Sequence, residues 1–108
     1  MEIKQKQIND FTVAFVNGRI DTTNYDVFEN VLNKIVSSGQ NNIVVDCEKM
    51  NYISSSGLRI FLVFLKQLNK NGGKFRICNM QKMVKEVFDV SGFSSLFEIY
   101  NSLDEAVL

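Results

Sequence analysis

Apolar positions along the chain fall into runs of two periods. Residues 2–7 alternate weakly, with Ile3 between polar neighbours, and residues 11–16 are rich in β-branched and aromatic side chains. Both read as strands. Asn9-Asp10 between them is a turn pair, so an opening hairpin is predicted. Asn17-Gly18 is read as the end of the second strand. Asp21, Thr22 and Thr23 are each suited to cap the helix that follows. That helix carries Val27, Phe28, Val31, Leu32, Ile35 and Val36 on one stripe and stops at Ser37-Ser38-Gly39.

The second half repeats the alternation. Residues 43–47 form a short, nearly all-apolar run, read as a central strand. A helix is predicted over about 56–69, ended by Asn71-Gly72-Gly73 with a glycine where a left-handed cap is expected. Residues 74–78 alternate as a fourth strand. Met80, Met83, Val84, Val87 and Phe88 mark a third helix that stops at Ser91-Gly92. Residues 96–100 give a short fifth strand, and Ser102 caps a last turn or two with Leu103, Ala106 and Val107 inward. The order β-β-α-β-α-β-α-β-α predicts one α/β domain over 1–108. It has a mixed, mostly parallel sheet of four to five strands, an N-terminal hairpin and about four helices.

Charge and composition narrow the function classes. Lys plus Arg and Asp plus Glu are 12 each, a balance that argues against nucleic acid or an anionic membrane as the main partner. No apolar run nears the roughly 18 residues of a membrane span, and no signal-peptide core stands at the start. A cytoplasmic location is expected. The absence of histidine removes the commonest general base and metal ligand, so no metal and no catalytic triad are expected. Cys47 and Cys78, far apart and without a CxxC pattern, read as buried small hydrophobes. Asp46, Glu48 and Lys49 end a strand as in a response-regulator receiver, but that class also needs an acidic pair after strand one and a lysine after strand five, and neither is present. No phosphate-binding GxxxxGK[ST] loop occurs.

Between the third strand and the second helix stands Tyr52-Ile53-Ser54-Ser55-Ser56-Gly57-Leu58-Arg59. Hydroxyls here lie where a helix start leaves N–H groups unpaired, which suits a cap and also suits a phosphate. Ser54 or Ser55 would serve as cap. One cap needs one hydroxyl, and three stand in line. Gly57 in the first turn costs about 1 kcal/mol relative to alanine, which makes sense where the backbone is approached closely. The helix beyond is apolar on more than one side. Leu58, Phe61, Leu62, Leu65 and Leu68 form one stripe, with Ile60, Val63 and Phe64 partly off it, so it is either deeply buried or partly covered by a partner.

The segment YISSSGLR resembles the signature loop of STAS domains, the fold of bacterial anti-sigma factor antagonists. Gly18-Arg19-Ile20-Asp21 resembles the family's element before helix one, Asn71-Gly72-Gly73 its glycine pair after helix two, and residues 87–93 its helix-three ending. The resemblance implies the STAS (SpoIIAA-like) fold and a protein-binding module that is not an enzyme. It implies Ser55 as phosphoacceptor, with Ser54 in the slot where the family usually carries Asp and Ser56 as second choice. Asp21, Ser54, Ser56, Gly57, Leu58 and Arg59 would belong to the partner-binding surface. The implied partners are an anti-sigma factor that is a serine kinase of the GHKL type, using ATP and Mg²⁺, and a PP2C-type phosphatase. No resident cofactor is implied, and a monomer is expected.

A phosphate on Ser55 would add about −1.5 to −2 charges at a helix N-terminus, where dipole and free N–H groups favour an anion by roughly 0.3–1 kcal/mol. Modification would therefore change the binding surface without unfolding the domain. Arg59, one turn on, is close enough in sequence to offer a charge-assisted bond. The alternative from another class is a constitutive scaffold or sensory STAS domain, binding a small ligand, whose serines only cap.

Overall fold

The structure, a computed structural model, describes residues 1–108. Five strands, β1 (Glu2–Ile8), β2 (Phe11–Ile20), β3 (Asn42–Ile53), β4 (Lys74–Cys78) and β5 (Glu98–Tyr100), form one sheet in the order β1-β2-β3-β4-β5. β1 and β2 pair antiparallel and the other neighbours pair parallel. The helices are α1 (Tyr25–Ser37), α2 (Ser55–Lys70), α3 (Lys82–Val90) and α4 (Leu103–Ala106), with a 3₁₀ turn at Phe93–Ser95. The expected order and the mixed α/β sheet are both present. No helix is long and apolar enough to cross a membrane.

Alternation along the central strands sends side chains to two different faces. Val16, Ile20, Ile43, Val45, Cys47, Met50, Ile53, Phe75 and Ile77 join a buried cluster with the apolar stripes of α1, α2 and α3. Phe61 stands at its centre, with ring centroids 5.1 Å from Phe28, 5.9 Å from Phe75, 5.4 Å from Phe88 and 6.3 Å from Phe97. Most of the apolar excess of α2 is spent here. Leu58, Ile60, Phe61, Phe64, Leu65 and Leu68 are buried, Leu62 is half-buried and only Val63 is exposed.

The opposite face is covered mainly by α4, where Phe11, Val13, Val44, Cys78, Ala106 and Val107 form a smaller cluster. Arg76 is buried beneath it. Its Nη1 donates to the carbonyls of Ala106 (3.0 Å) and Leu108 (2.9 Å), and its Nε to Glu98 (3.2 Å). The guanidinium also lies 4.8 Å from the centre of the Phe11 ring. Both cysteines are free and buried, as expected.

Several boundaries differ from the sequence reading. Asn17-Gly18 does not end β2. The strand continues to Ile20 across register shifts on either side of Asn17-Gly18, and Gly18 takes the φ of +106° that such an irregularity favours. β3 continues to Ile53 because Met50 and Ile53 keep an inward face beyond the polar Glu48-Lys49 pair. Helix α1 begins at Tyr25 after Asn24, so Asp21, Thr22 and Thr23 form a turn and do not cap it. Val27 is 47% exposed and Met83 64% exposed, so neither joins the core, and Met80 precedes α3. β5 starts at Glu98, since Phe93–Ser95 takes a 3₁₀ turn.

Candidate functional site

The carboxyl ends of β2 and β3 run side by side and place the serine turn. Arg19 is opposite Tyr52 and Ile20 opposite Ile53. The next N–H, that of Ser54, donates to the Ile20 carbonyl at 2.9 Å, which ties the turn to the sheet. The chain then enters α2. Ser54 is extended (φ −86°, ψ 170°), and its Oγ accepts from the Gly57 N–H at 3.2 Å. Of the two serines open for capping, Ser54 is the cap. Asp and Ser are equivalent caps, so a serine in the family's usual Asp slot leaves the helix start intact.

The other two hydroxyls have no such duty. Ser55 is the first helical residue and is exposed, Ser56 is the second and is half-buried, and neither side chain has a hydrogen-bond partner in the chain. Their N–H groups precede the first helical acceptor. The first turn of α2 carries no acidic residue. An exposed hydroxyl is thus held at a positive helix end with no carboxylate of that turn beside it.

Gly57 shows why a glycine stands inside the turn. A Cβ there would lie 2.7 Å from Ile20 Cγ2 and 2.9 Å from Ile53 Cγ1. The close approach inferred from the sequence exists, and it is to the sheet's own side chains. Gly57 and Leu58 are buried, so they support the turn from below. Arg59 is exposed and makes no ion pair or side-chain hydrogen bond.

Asp21 stands just past the end of β2, one residue beyond the carbonyl that holds Ser54. Its Oδ1 accepts from the Thr23 hydroxyl (2.6 Å) and N–H (2.9 Å), and its Oδ2 from Arg19 Nε (2.8 Å). The Thr23 bonds first, and then Arg19, hold its carboxyl below the usual carboxylate range. Asn24 closes the turn. Its Oδ1 accepts from the Asp21 N–H at 2.9 Å and its Nδ2 donates to the Arg19 carbonyl at 3.0 Å. Arg19 lies 4.6 Å over the Tyr52 ring. Arg19, Tyr52, Thr23 and Asn24 therefore belong to this end of the molecule, although the sequence reading gave them no site role. A signal was available, since Arg19 and Tyr52 are the polar and aromatic positions that alternate with the inward Ile20 and Ile53.

One other feature lies elsewhere. A groove of about 560 Å³ runs over the second sheet face, lined by Lys4, Lys6, Phe15, Asp46, Asn79 and Leu103 among others, and touches no residue of the serine turn. No three His, Cys, Asp or Glu side chains come together as a metal site would need.

An N-terminal hairpin leading into a parallel sheet, with a capped serine turn at the carboxyl ends of its two longest strands, defines a known class of domain. The STAS domain family matches residues 2–106, and the chain belongs to it. It is 34% identical over 106 residues to BtrV of Bordetella bronchiseptica, named as a candidate anti-sigma factor antagonist, covering 98% of this chain and 91% of that one. A candidate anti-sigma factor antagonist from Thermotoga maritima superposes with a TM-score of 0.91 at 22% identity, over 96% of this chain and 90% of the other. The anti-sigma factor antagonist SpoIIAA in its unphosphorylated form superposes at 0.84 with 18% identity, over 98% and 93%. Its phosphorylated form, from Bacillus, superposes at 0.76.

Proposed function

We propose that the chain is an anti-sigma factor antagonist whose unphosphorylated serine turn binds an anti-sigma factor and so releases the sigma factor, and whose phosphorylation at Ser55 ends that binding. The observation that carries this reading is the exposed Ser55 hydroxyl, free of partners at a helix start already capped by Ser54. Kinship with anti-sigma factor antagonists supports the binding role, and the existence of a phosphorylated SpoIIAA supports the switch by analogy. The partner is an anti-sigma factor that is also a GHKL-type serine kinase. In the transfer step, Ser55 Oγ bonds to the γ-phosphorus of Mg·ATP, the bond from that phosphorus to the bridging oxygen breaks, and ADP leaves. The hydroxyl proton passes to a base on the kinase. A PP2C-type phosphatase restores the hydroxyl by hydrolysis. The domain acts in the cytoplasm, as a monomer between encounters.

The phosphate changes recognition through charge. It adds about −1.5 to −2 charges to a surface the partner must desolvate, while the helix end tolerates it. In this reading Asp21, Ser54, Ser56 and Arg59 form the partner-binding surface with Ser55, and Ser56 is the second acceptor. Gly57 and Leu58 hold the turn in place from within. Exchange of Ser55 for Asp tests the reading. The Ser55→Asp protein should bind its anti-sigma factor at least roughly tenfold more weakly while its melting temperature stays near that of the wild type. Mass spectrometry after incubation with that kinase and ATP should place the phosphate on Ser55.

The open groove on the second face favours one further reading, a sensory STAS domain that binds a small ligand there and uses its serines only as caps. In that case Ser55→Asp leaves partner binding unchanged.

A further inference from the structure

We propose that Arg19, stacked on Tyr52 at the rim of the serine turn, is a docking point for a carboxylate of the partner protein and a specificity-determining residue of that surface. The proposal rests on the reading of this sheet end as the partner-binding surface. Two restraints hold the guanidinium of Arg19 and a third holds its backbone. The guanidinium lies 4.6 Å from the centre of the Tyr52 ring and its Nε donates to Asp21 at 2.8 Å, while the Arg19 backbone carbonyl accepts from Asn24. Asp21 is itself fixed by both Thr23 donors. An ordinary surface arginine has none of this order.

Only one of the five N–H groups of Arg19 is used. Nη1 and Nη2 have no partner in the chain, and the side chain is 59% exposed. The free pair of terminal nitrogens is the edge that matches a carboxylate in two parallel bonds. Tyr52 beside it is 40% exposed and its hydroxyl also lacks a partner. A pre-ordered arginine stacked on a tyrosine loses little entropy on binding, and both residue types are enriched at the energetic centres of interfaces.

The platform is joined to the serine turn through the backbone of the sheet. Arg19 faces Tyr52 across β2 and β3, and Ser54 bonds to Ile20, the residue after Arg19. Asp21 occupies the Nε side alone, and the first turn of α2 supplies no acid to fill the other edge. The unfilled edge is thus left for an acidic side chain of the anti-sigma factor. Arg59, exposed and unrestrained, lacks that pre-ordering.

The test is calorimetric titration of the unphosphorylated protein with its anti-sigma factor, using Arg19→Ala, Arg19→Lys, Arg19→Gln and Tyr52→Ala, with Ser55→Asp as reference. Arg19→Ala and Arg19→Gln should weaken binding roughly 10- to 100-fold and flatten its salt dependence. Arg19→Lys should recover only part of the loss, because a point charge cannot bond in two parallel bonds. Tyr52→Ala should weaken binding less than loss of the guanidinium. Melting temperatures are measured alongside. Should Arg19→Ala fail to fold, Arg19→Gln keeps the stem and carries the test. Arg19→Ala and Arg19→Gln binding within twofold of wild type, while Ser55→Asp binds weakly, overturns the docking role and leaves the proposed function standing. Unchanged binding by all variants overturns both. Unchanged binding of the unphosphorylated Arg19→Ala protein with failed release after phosphorylation also overturns the proposal, because the guanidinium would then serve the phosphate.

Discussion

Three helices seal one face of the sheet, and a four-residue helix seals part of the other. Beneath α1, α2 and α3 the packing is apolar and aromatic, with Phe61 touching four other rings. Beneath α4 a buried guanidinium holds the chain end by its carbonyls, and an open groove runs alongside. The serine turn is joined to the first face. Gly57 presses on Ile20 and Ile53, both members of the larger cluster, and Ser54 is hydrogen-bonded to Ile20. The difference teaches where rigidity is placed. The serine turn rests on the larger, aromatic cluster, whereas the second face is held by a smaller cluster and one arginine and is expected to open first.

The largest test is at the aromatic centre. Phe61→Ala should cost about 3–5 kcal/mol, read as a lower denaturant midpoint in a single transition. Because the cluster spans α1, α2, α3 and the sheet, the loss should be shared by probes on both faces. A Phe61→Ala protein that loses α4 alone would break the comparison.

The contrast between the faces was only partly legible in the sequence. The helical stripes and the β-branched runs fixed the layer order, because burial of a periodic face leaves little choice. The two long strands were read short. Asn17-Gly18 looks like a stop locally, yet pairing with β3 carries β2 through it as an irregularity. The Glu48-Lys49 pair looks like a stop in β3 for the same reason. Those extra residues bring Arg19 and Tyr52 to the serine turn, so shortening the strands hid half of the site. Asp21 was placed near the turn, but its partners Thr23 and Arg19 depend on a local loop geometry that competes with capping. The serines themselves were legible as residues, and which of them caps was settled only by the bond from Gly57 to Ser54.

Arg76→Ala is the next largest test, and it acts on the second face. It leaves the carbonyls of Ala106 and Leu108 without their donor and removes the stack on Phe11. We expect a cost of about 2 kcal/mol. Amide exchange should rise in α4 and β5, while α2 keeps its protection. Uniform loss of protection would mean that the two faces unfold as one unit.

The cysteines report the smallest difference, one from each face. Cys47 lies in the larger cluster and Cys78 in the smaller. Burial, followed by the charge of neighbouring Asp46, pushes the Cys78 thiol up to about 12. Burial, with smaller contributions from Cys78 and Asp46, pushes Cys47 well above the usual thiol range. Unfolded thiols ionise near about 8.5, so the unfolded state loses protons first. The stability these thiols contribute is complete below that pH and falls as pH rises toward 12. At pH 8 both thiols should resist a labelling reagent in the native protein. Cys78 should label first, through release of α4, and Cys47 only through global unfolding. Arg76→Ala should speed labelling of Cys78 by more than that of Cys47. Equal acceleration at both thiols would show that α4 does not open independently, and the second face would then be as firmly closed as the first.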